Sequence, residues 1–284
     1  MVVGWPVIPS EAEESRGGTY SSHHGIPRLR FPPLGMNTQS AYGVAMSAPP
    51  ARPSISVVVP TLNEVENIEP LVRRIIQSTP ACEEIIIVDD GSQDGTPAAV
   101  RAQAATAPVR LIERVQPRLG LSGAVLEGAR VAHGEILVVM DADLSHPAED
   151  IPNLLAPILD GRADMVIGSR YVRGGTTPGW PVYRRIMSRL AAGIAYPLTG
   201  VHDSMCGFFA IRRPLLIELA PSATGFKIAF ETIARGRDNL RVIEVPIAFC
   251  DRARGASKMN WRVALLFSLR WCAAASRVIL RRRH

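Results

Sequence analysis

The sequence predicts an α/β fold built on a largely parallel sheet, and three observations carry that prediction. From Ser54 onward, short apolar runs alternate with longer helical stretches. Ile68, Leu71, Val72, Ile75 and Ile76 follow the spacing of one buried helical face. Four of the apolar runs end in unusual polar sequence, just after Val59, Val88, Met140 and Ile167. In open α/β sheets, ligands bind outside the carboxyl ends of the strands, so chemistry is expected at those four places.

In chain order, strands are expected over residues 55–59, 84–88, 109–112, 135–140 and 164–167, with helices over 66–78, 96–105, 121–133 and 149–159. A later strand starts at Glu244 and leads into a basic loop. Residues 1–53 mix Pro, Gly, Ser and scattered charges without apolar periodicity, so this extension is expected to be disordered. It has no continuous apolar stretch behind a positive start, so it is not expected to direct secretion. The expected organisation is an N-terminal extension over 1–53, a folded domain over 54–260 and a basic amphipathic segment over 261–284.

With 284 residues and 47% hydrophobic content, the chain can bury the core of one large domain. Cys82, Cys206, Cys250 and Cys272 lie far apart, without the spacing of a zinc site or the density of a disulfide scaffold, which fits a reducing, cytoplasmic compartment. The net charge is +6, and the stretch from Arg252 to His284 alone holds nine Lys or Arg and no acid, which leaves −3 elsewhere. Sparse aromatics and the lack of a helix-turn-helix, zinc-finger or RNP pattern argue against nucleic acid. An anionic membrane surface is the expected partner of the basic end.

The first strand end reads Pro60-Thr-Leu-Asn-Glu64 and has no dinucleotide-type glycines, which disfavours a nicotinamide enzyme. One reading of it is structural: Pro60 stops the strand and Asn63 caps the next helix. The second strand end reads Asp89-Asp90-Gly-Ser-Gln-Asp94-Gly-Thr96. Its glycines suit a tight turn and Asp94 or Thr96 a cap, whereas adjacent acids at the end of a buried strand suit acceptance of hydrogen bonds from a nucleoside.

The fourth strand end reads Asp141-Ala-Asp143-Leu-Ser145-His146-Pro147. Two carboxylates so close repel unless a cation lies between them, and a few hard oxygen ligands suit Mg²⁺ or Mn²⁺ shared with substrate phosphates. The alternative is a helix start capped by Asp143 or Ser145, with Pro147 in the first turn. Beyond the fifth strand, Gly168-Ser-Arg170-Tyr171 offers an arginine that either clamps a phosphate or pairs with Asp164 or another acid. Trp180, Arg184, Arg185 and Ser188 follow. Asp203-Ser-Met-Cys-Gly-Phe208-Phe209 and Gly225-Phe226-Lys227 suit pocket-lining turns or core packing equally. Arg252 to Lys258 reads as a bendable basic loop, either a lid over a pyrophosphate or a solvated loop at a membrane.

The ordered set P-T-x-N-E, D-D-G-S-x-D-G-T, G-L-S-G-A, M-D-A-D-L-S-H-P, G-S-R-Y, C-G-F and E-V-P-I-x-F-x-x-R-x-x-G-x-S-K resembles family 2 glycosyltransferases of the dolichol-phosphate mannosyltransferase type, over roughly residues 54–260. The resemblance implies a GT-A nucleotide-sugar-binding fold. It further implies inverting transfer of mannose from GDP-mannose to a polyprenyl (dolichyl or undecaprenyl) phosphate with a divalent cation, Mg²⁺ or Mn²⁺. Carried over to these positions, Pro60, Leu62, Glu64, Val88 and Asp90 would hold the nucleoside. Asp141, Ala142, Asp143 and Ser145 would surround the metal and diphosphate, with Asp141, Asp143 and Ser145 nearest the metal. Arg170, Arg252 and Lys258 would contact phosphates and, with Asp143, form the catalytic set. Leu62 departs from the aromatic that the family commonly has there. The nearest alternatives are another donor on the same fold, such as UDP-glucose, UDP-N-acetylglucosamine or a modified arabinose, and, more remotely, a non-catalytic nucleotide-sugar-binding protein.

Trp261 to Leu280 is about long enough to cross a bilayer at 1.5 Å per residue. Yet Arg262, Arg270 and Arg277 interrupt it, and a charge near mid-membrane costs roughly 3 kcal/mol. An interfacial amphipathic helix fits better. Attachment would then be peripheral, at the cytoplasmic face of a membrane, or supplied by an integral-membrane partner subunit.

Overall fold

The computed structural model describes residues 53–223, 225 and 227–250. Among these lie seven strands: β1 (Ile55–Thr61), β2 (Cys82–Asp89), β3 (Val109–Glu113), β4 (Ile136–Val139), β5 (Met165–Ser169), β6 (Phe209–Arg212) and β7 (Val242–Pro246). The helices are α1 (Val65–Ser78), α2 (Thr96–Ala104), α3 (Gly120–Val131), α4 (Ile151–Leu159, after a single 3₁₀ turn at Ala148–Asp150), α5 (Val182–Thr199), α6 (Arg213–Leu219) and α7 (Ile228–Gly236). One sheet takes all seven strands in the order β3-β2-β1-β4-β6-β5-β7. The Val- and Ile-rich runs of β1, β2 and β4 are buried on both faces, as parallel strands covered by helices must be.

This order places the chemistry. From β1 the chain steps to β2 and β3 on one side, then crosses to β4 on the other. The crevice between the carboxyl ends of β1 and β4 is therefore a topological switch point, flanked by Pro60–Glu64 and Asp141–Ser145. β6 is antiparallel to both neighbours, with Phe209 opposite Val139 of β4 and Ile167 of β5. Running backwards, it delivers the Cys206-Gly207-Phe208 turn to the same edge as the ends of β4 and β5.

The five strands and four helices expected from periodicity are present, with no bound shifted by more than two residues. β6 and helices α5 to α7 were not legible. β6 is four residues squeezed between a glycine turn and a helix-starting Arg-Pro, too short to show a period. On α1, Ile68, Leu71, Val72 and Ile75 are buried, each worth roughly 1.5–3 kcal/mol, whereas Ile76 is 37% exposed and leaves the predicted face. Pro60 does not stop the first strand; it lies inside β1, paired with Val88. Asn63 does not cap α1. It takes a left-handed φ of 57°, and its Oδ1 accepts from Gln93 N–H at 2.8 Å. The first N–H of the helix, Val65, goes instead to Asp94 Oδ2 at 3.1 Å.

Glu84, near the start of β2 at the opposite end of the sheet from the switch point, is a buried anchor. Its carboxylate accepts from Ser56 Oγ at 2.7 Å, His133 N–H at 2.6 Å and Arg110 Nη1 at 2.7 Å. Burial alone pushes the carboxyl up, but those donors together hold it at about 2. A depressed carboxylate contributes stability that is complete above its ordinary value and is lost as pH falls through the folded value. Glu84→Gln should therefore be less stable than the parent by up to about 3 kcal/mol near neutrality. That gap should close as pH falls from 4.5 towards 2, read from urea midpoints across the range. An unchanging gap would show that the charge is not what matters.

Candidate active site

At the end of β2 the two adjacent acids have different work. Asp89 is buried, and its Oδ2 accepts from the backbone N–H of Gly91 at 3.0 Å and of Ser92 at 2.9 Å, so it shapes the turn. Asp90 is partly open, its side chain 16% exposed, with Oδ1 accepting from Arg114 Nη1 at 2.6 Å. Burial raises its carboxyl above the ordinary value, and the Arg114 charge opposes that. The β1 and β2 turns are bound together: Asn63 N–H donates to Ser92 Oγ at 2.7 Å and Glu64 N–H to Thr96 Oγ1 at 2.9 Å. Glu64 Oε2 accepts from Asn67 Nδ2 at 2.7 Å, and Leu62 is exposed. Val88 is fully buried. A Cβ placed on Gly128 of α3 would lie 3.2 Å from its Cγ2, so its side chain belongs to the core and the expectation that it contacts a nucleoside is corrected to that extent.

Across the switch point, the loop after β4 is a tight turn and not a helix start. Asp143 Oδ1 accepts from Ser145 N–H at 3.1 Å and Ser145 Oγ at 2.5 Å, and the following 3₁₀ turn begins only at Ala148. Asp143, Ser145 and Ala142 are buried, while Asp141 is partly open. Two neighbours that sequence reading left without a role set Asp141. His146 is buried, and its Nδ1 accepts the Asp141 N–H at 3.0 Å, which makes it the Nε2–H tautomer. Burial keeps that ring neutral against the pull of Asp141 and Asp143, and Phe208 stacks on it at 5.2 Å. Gly207 is the second: a Cβ there would sit 3.2 Å from both Asp141 oxygens. The C-G-F turn is thus glycine where the carboxylate must pass. Phe208 and Phe209 are themselves core.

This donor set fits a hard divalent cation. Two carboxylates, one held by a hydroxyl and a backbone amide and the other facing outward, supply the one or two protein oxygens that Mg²⁺ or Mn²⁺ takes when substrate phosphates and water complete its shell. Among the described residues no group of three His, Cys, Asp or Glu forms an all-protein cage.

Of the two readings of Arg170, the carboxylate pair is the one observed, with Asp203 and not Asp164 as partner. Arg170 Nε and Nη2 each donate to Asp203 at 2.7 Å, and Arg170 N–H donates to it at 2.9 Å. Asp164 pairs with Arg241 instead. The Nε–Nη2 edge of the Arg170 fork is therefore taken by Asp203, which leaves Nη1 outside that pair. Its guanidinium lies 5.2 Å from the Tyr171 ring, 5.5 Å from Trp180 and 5.2 Å from Phe249. Glu244, of the E-V-P motif, underpins the pair by accepting the N–H of His202 at 2.8 Å and of Asp203 at 3.0 Å. Arg184 stacks over Trp180 at 4.0 Å and Tyr171 bonds Ser188, so the residues noted at the start of α5 do converge. Among the described residues, Trp180 Nε1 and Ser204 Oγ are buried without a hydrogen-bond partner. Lys227 donates to Met205 O at 3.3 Å, and burial lowers its ammonium value. Phe226, Arg252, Lys258, the 1–52 extension and the 261–284 segment lie outside the described residues.

With the geometry in place, the profile of Glycosyl transferase family 2 matches residues 56–220, more than half of the 284-residue chain. The chain belongs to glycosyltransferase family 2. This family 2 glycosyltransferase is 41% identical over 211 residues to a dolichol-phosphate mannosyltransferase of Pyrococcus furiosus, an alignment covering 72% of the chain and 59% of that relative. The chain thus spans less than two thirds of that protein's length. It is 40% identical over 225 residues to the dolichol-phosphate mannosyltransferase of Saccharomyces cerevisiae, covering 75% of the chain and 83% of the relative. Its fold matches glucosyl-3-phosphoglycerate synthase of Mycobacterium tuberculosis, solved with Mn²⁺, UDP and glucosyl-3-phosphoglycerate, at TM-score 0.61 and 25% identity over 79% of each chain. The expected GT-A-type α/β fold is the one observed.

Proposed function

We propose that this enzyme transfers mannose from GDP-mannose to a polyprenyl phosphate, releasing GDP and forming polyprenyl-phosphate-mannose. The observation that carries the proposal is the presence, at the carboxyl ends of the strands on either side of β1, of a partly open Asp90 after β2 and the supported Asp141–Asp143 pair after β4, in a chain about 40% identical to dolichol-phosphate mannosyltransferases. Pro60, Leu62, Glu64 and Asp90 bind the nucleoside. Asp141 and Asp143 hold Mg²⁺ or Mn²⁺, with Ser145 fixing Asp143 and the Ala142 backbone beside it. The cation, when bound, neutralises charge on the departing diphosphate. Arg252 and Lys258, outside the described residues, would supply positive charge to that diphosphate, and Arg170 contributes positive charge to the wall of the site while Asp203 holds it.

The acceptor oxygen attacks the anomeric carbon opposite GDP. The bond from that carbon to the GDP oxygen breaks, and configuration inverts. A phosphate monoester is mostly ionised near neutral pH, so no protein base needs to take a proton.

The acceptor is a lipid, and α5 offers a face for its bilayer at the cytoplasmic surface. Tyr183, Ile186, Met187, Leu190 and Ile194 share one side of the helix and are each more than half exposed. The helix carries Arg184, Arg185 and Arg189 and no acid, which suits anionic headgroups. No helix of the described residues is long and apolar enough to cross a membrane.

The test is to incubate the protein and Mg²⁺ or Mn²⁺ with GDP-mannose, UDP-glucose and UDP-N-acetylglucosamine and a short polyprenyl phosphate, then weigh the lipid product. A hexose adduct from GDP-mannose alone is expected; an adduct from a UDP sugar alone would replace the donor assignment. In the same assay, Ile186→Ser with Leu190→Ser and Ile194→Ser should lower binding to phosphatidylcholine–phosphatidylglycerol vesicles about tenfold while sparing transfer to the short acceptor. Unchanged vesicle binding would remove α5 from the membrane contact.

A further inference from the structure

The G-L-S-G-A motif, Gly120 to Ala124, has an unusually specific geometry. Leu119 and Gly120 both take left-handed backbone, φ 68° and 59°, where α3 begins. That reversal brings the carbonyls of Arg118 and Gly120 onto one guanidinium, Arg114, at the end of β3. Arg114 Nη2 donates to Arg118 O, and Nη1 to Gly120 O at 3.3 Å. Nε donates to Glu127 Oε2 of α3 at 2.9 Å, and Nη1 donates again to Asp90 Oδ1 at 2.6 Å. The side chain is only 6% exposed. A Cβ on Gly123 would lie 2.8 Å from Nη2 and 2.1 Å from Arg118 O, so only glycine leaves room for this arrangement. The turn is braced from outside: Ser122 N–H and Oγ donate to Gly225 O at 2.8 and 2.9 Å, and Gly225 N–H donates to Leu119 O at 2.9 Å.

We infer that Arg114 is a positioning residue for the nucleoside, fixing the direction of the Asp90 carboxylate, and that the Gly120–Ala124 turn serves to hold Arg114. The inference rests on the reading of Asp90 as a nucleoside contact. The physical reason is the planarity of the fork. Once three of its bonds go to two backbone carbonyls and to Glu127, the plane of the guanidinium is set, and with it the direction in which Nη1 meets Asp90. A carboxylate with one oxygen tied in this way has lost most of its torsional freedom before a ligand arrives, so binding orders less. Arg114 also compensates the negative neighbours Asp89 and Glu127, which would otherwise disfavour an ionised acceptor at Asp90.

A double-mutant cycle tests this, comparing the parent, Arg114→Gln, Asp90→Asn and the double variant. The probe is whichever of GDP and UDP the parent binds more tightly, read by calorimetry, with KM and kcat for the matching sugar nucleotide and the melting temperature measured in parallel. Arg114→Gln is expected to weaken nucleotide binding about tenfold, with the loss falling on KM more than on kcat. In the Asp90→Asn background the same change should alter binding less than about twofold. Arg114→Lys keeps a cation but not the fork; it should fold like the parent and show an intermediate rise in KM. If Asp90→Asn leaves binding unchanged, the nucleoside does not meet Asp90 and the inference falls with that reading. If Asp90→Asn weakens binding but Arg114→Gln does not, or weakens it equally in both backgrounds, the role of Arg114 alone is overturned. An Arg114→Lys protein with unchanged KM overturns it as well.

Discussion

Asp143→Ala is expected to lower kcat for sugar transfer by about a thousandfold or more in a protein that stays folded. The structure sharpens the choice of control. Asp143 Oδ1 also closes the turn by accepting from Ser145 N–H and Oγ, so alanine removes both a charge and a local brace. Asp143→Asn keeps an oxygen acceptor in the same place and removes only the charge. If the carboxylate acts through a divalent cation, both variants lose transfer and both lose the binding of Mn²⁺ seen by water-proton relaxation. If Asp143 is merely a turn former, Asp143→Asn retains activity and Mn²⁺ binding. Normal turnover of either variant at saturating Mg²⁺ or Mn²⁺ would remove Asp143 from the metal site.

Asp203→Ala is expected to cost about 3–5 kcal/mol of stability, because it leaves the Arg170 guanidinium buried without its counter-charge. Burial works against that guanidinium, and the hydrogen bonds and charge of Asp203 overcome it and hold it well above its ordinary value. Asp203 is fully buried and accepts three bonds from Arg170, one from its backbone and two from its fork. For a domain of this size the loss corresponds to a melting temperature roughly 10 °C or more lower. Adding Arg170→Met to Asp203→Ala should recover a good part of it, since the orphaned charge is then gone. A single variant that melts with the parent would mean that Arg170 is already satisfied elsewhere, and the clamp reading of Arg170 would regain its force.

The candidate site was legible to the extent that its chemistry is local. The two acids of Asp141-Ala-Asp143 announce themselves by spacing alone, and their place at a strand end follows from the apolar run before them. Partners distant in sequence were not legible. Arg170 meets Asp203, 33 residues on, although Asp164 is nearer in the chain. Arg114 meets Asp90, 24 residues back, and nothing around Leu-Ile-Glu-Arg114 marks it as more than the end of a strand. Asn63 has the composition of a helix cap, yet its side chain goes to Gln93, because the β1 and β2 turns lie side by side only once the sheet has formed. His146 and Gly207 were visible as residues of their motifs, but their joint hold on Asp141 depends on β6 running antiparallel to β4.

What the sequence determined by itself was the alternation of strands and helices as far as β5, four of the five positions expected on the buried face of α1, the acids at the strand ends and membership of glycosyltransferase family 2. Each of these is written in residue type and short-range spacing, where hydrophobic period and turn chemistry operate. The tertiary structure decided which acid of each neighbouring pair serves the turn and which faces outward, which carboxylate takes Arg170, where β6 enters the sheet and which apolar residues of α5 are exposed. These depend on contacts that exist only after segments tens of residues apart have packed. A polar group in the interior then takes whichever partner the fold brings within bonding distance.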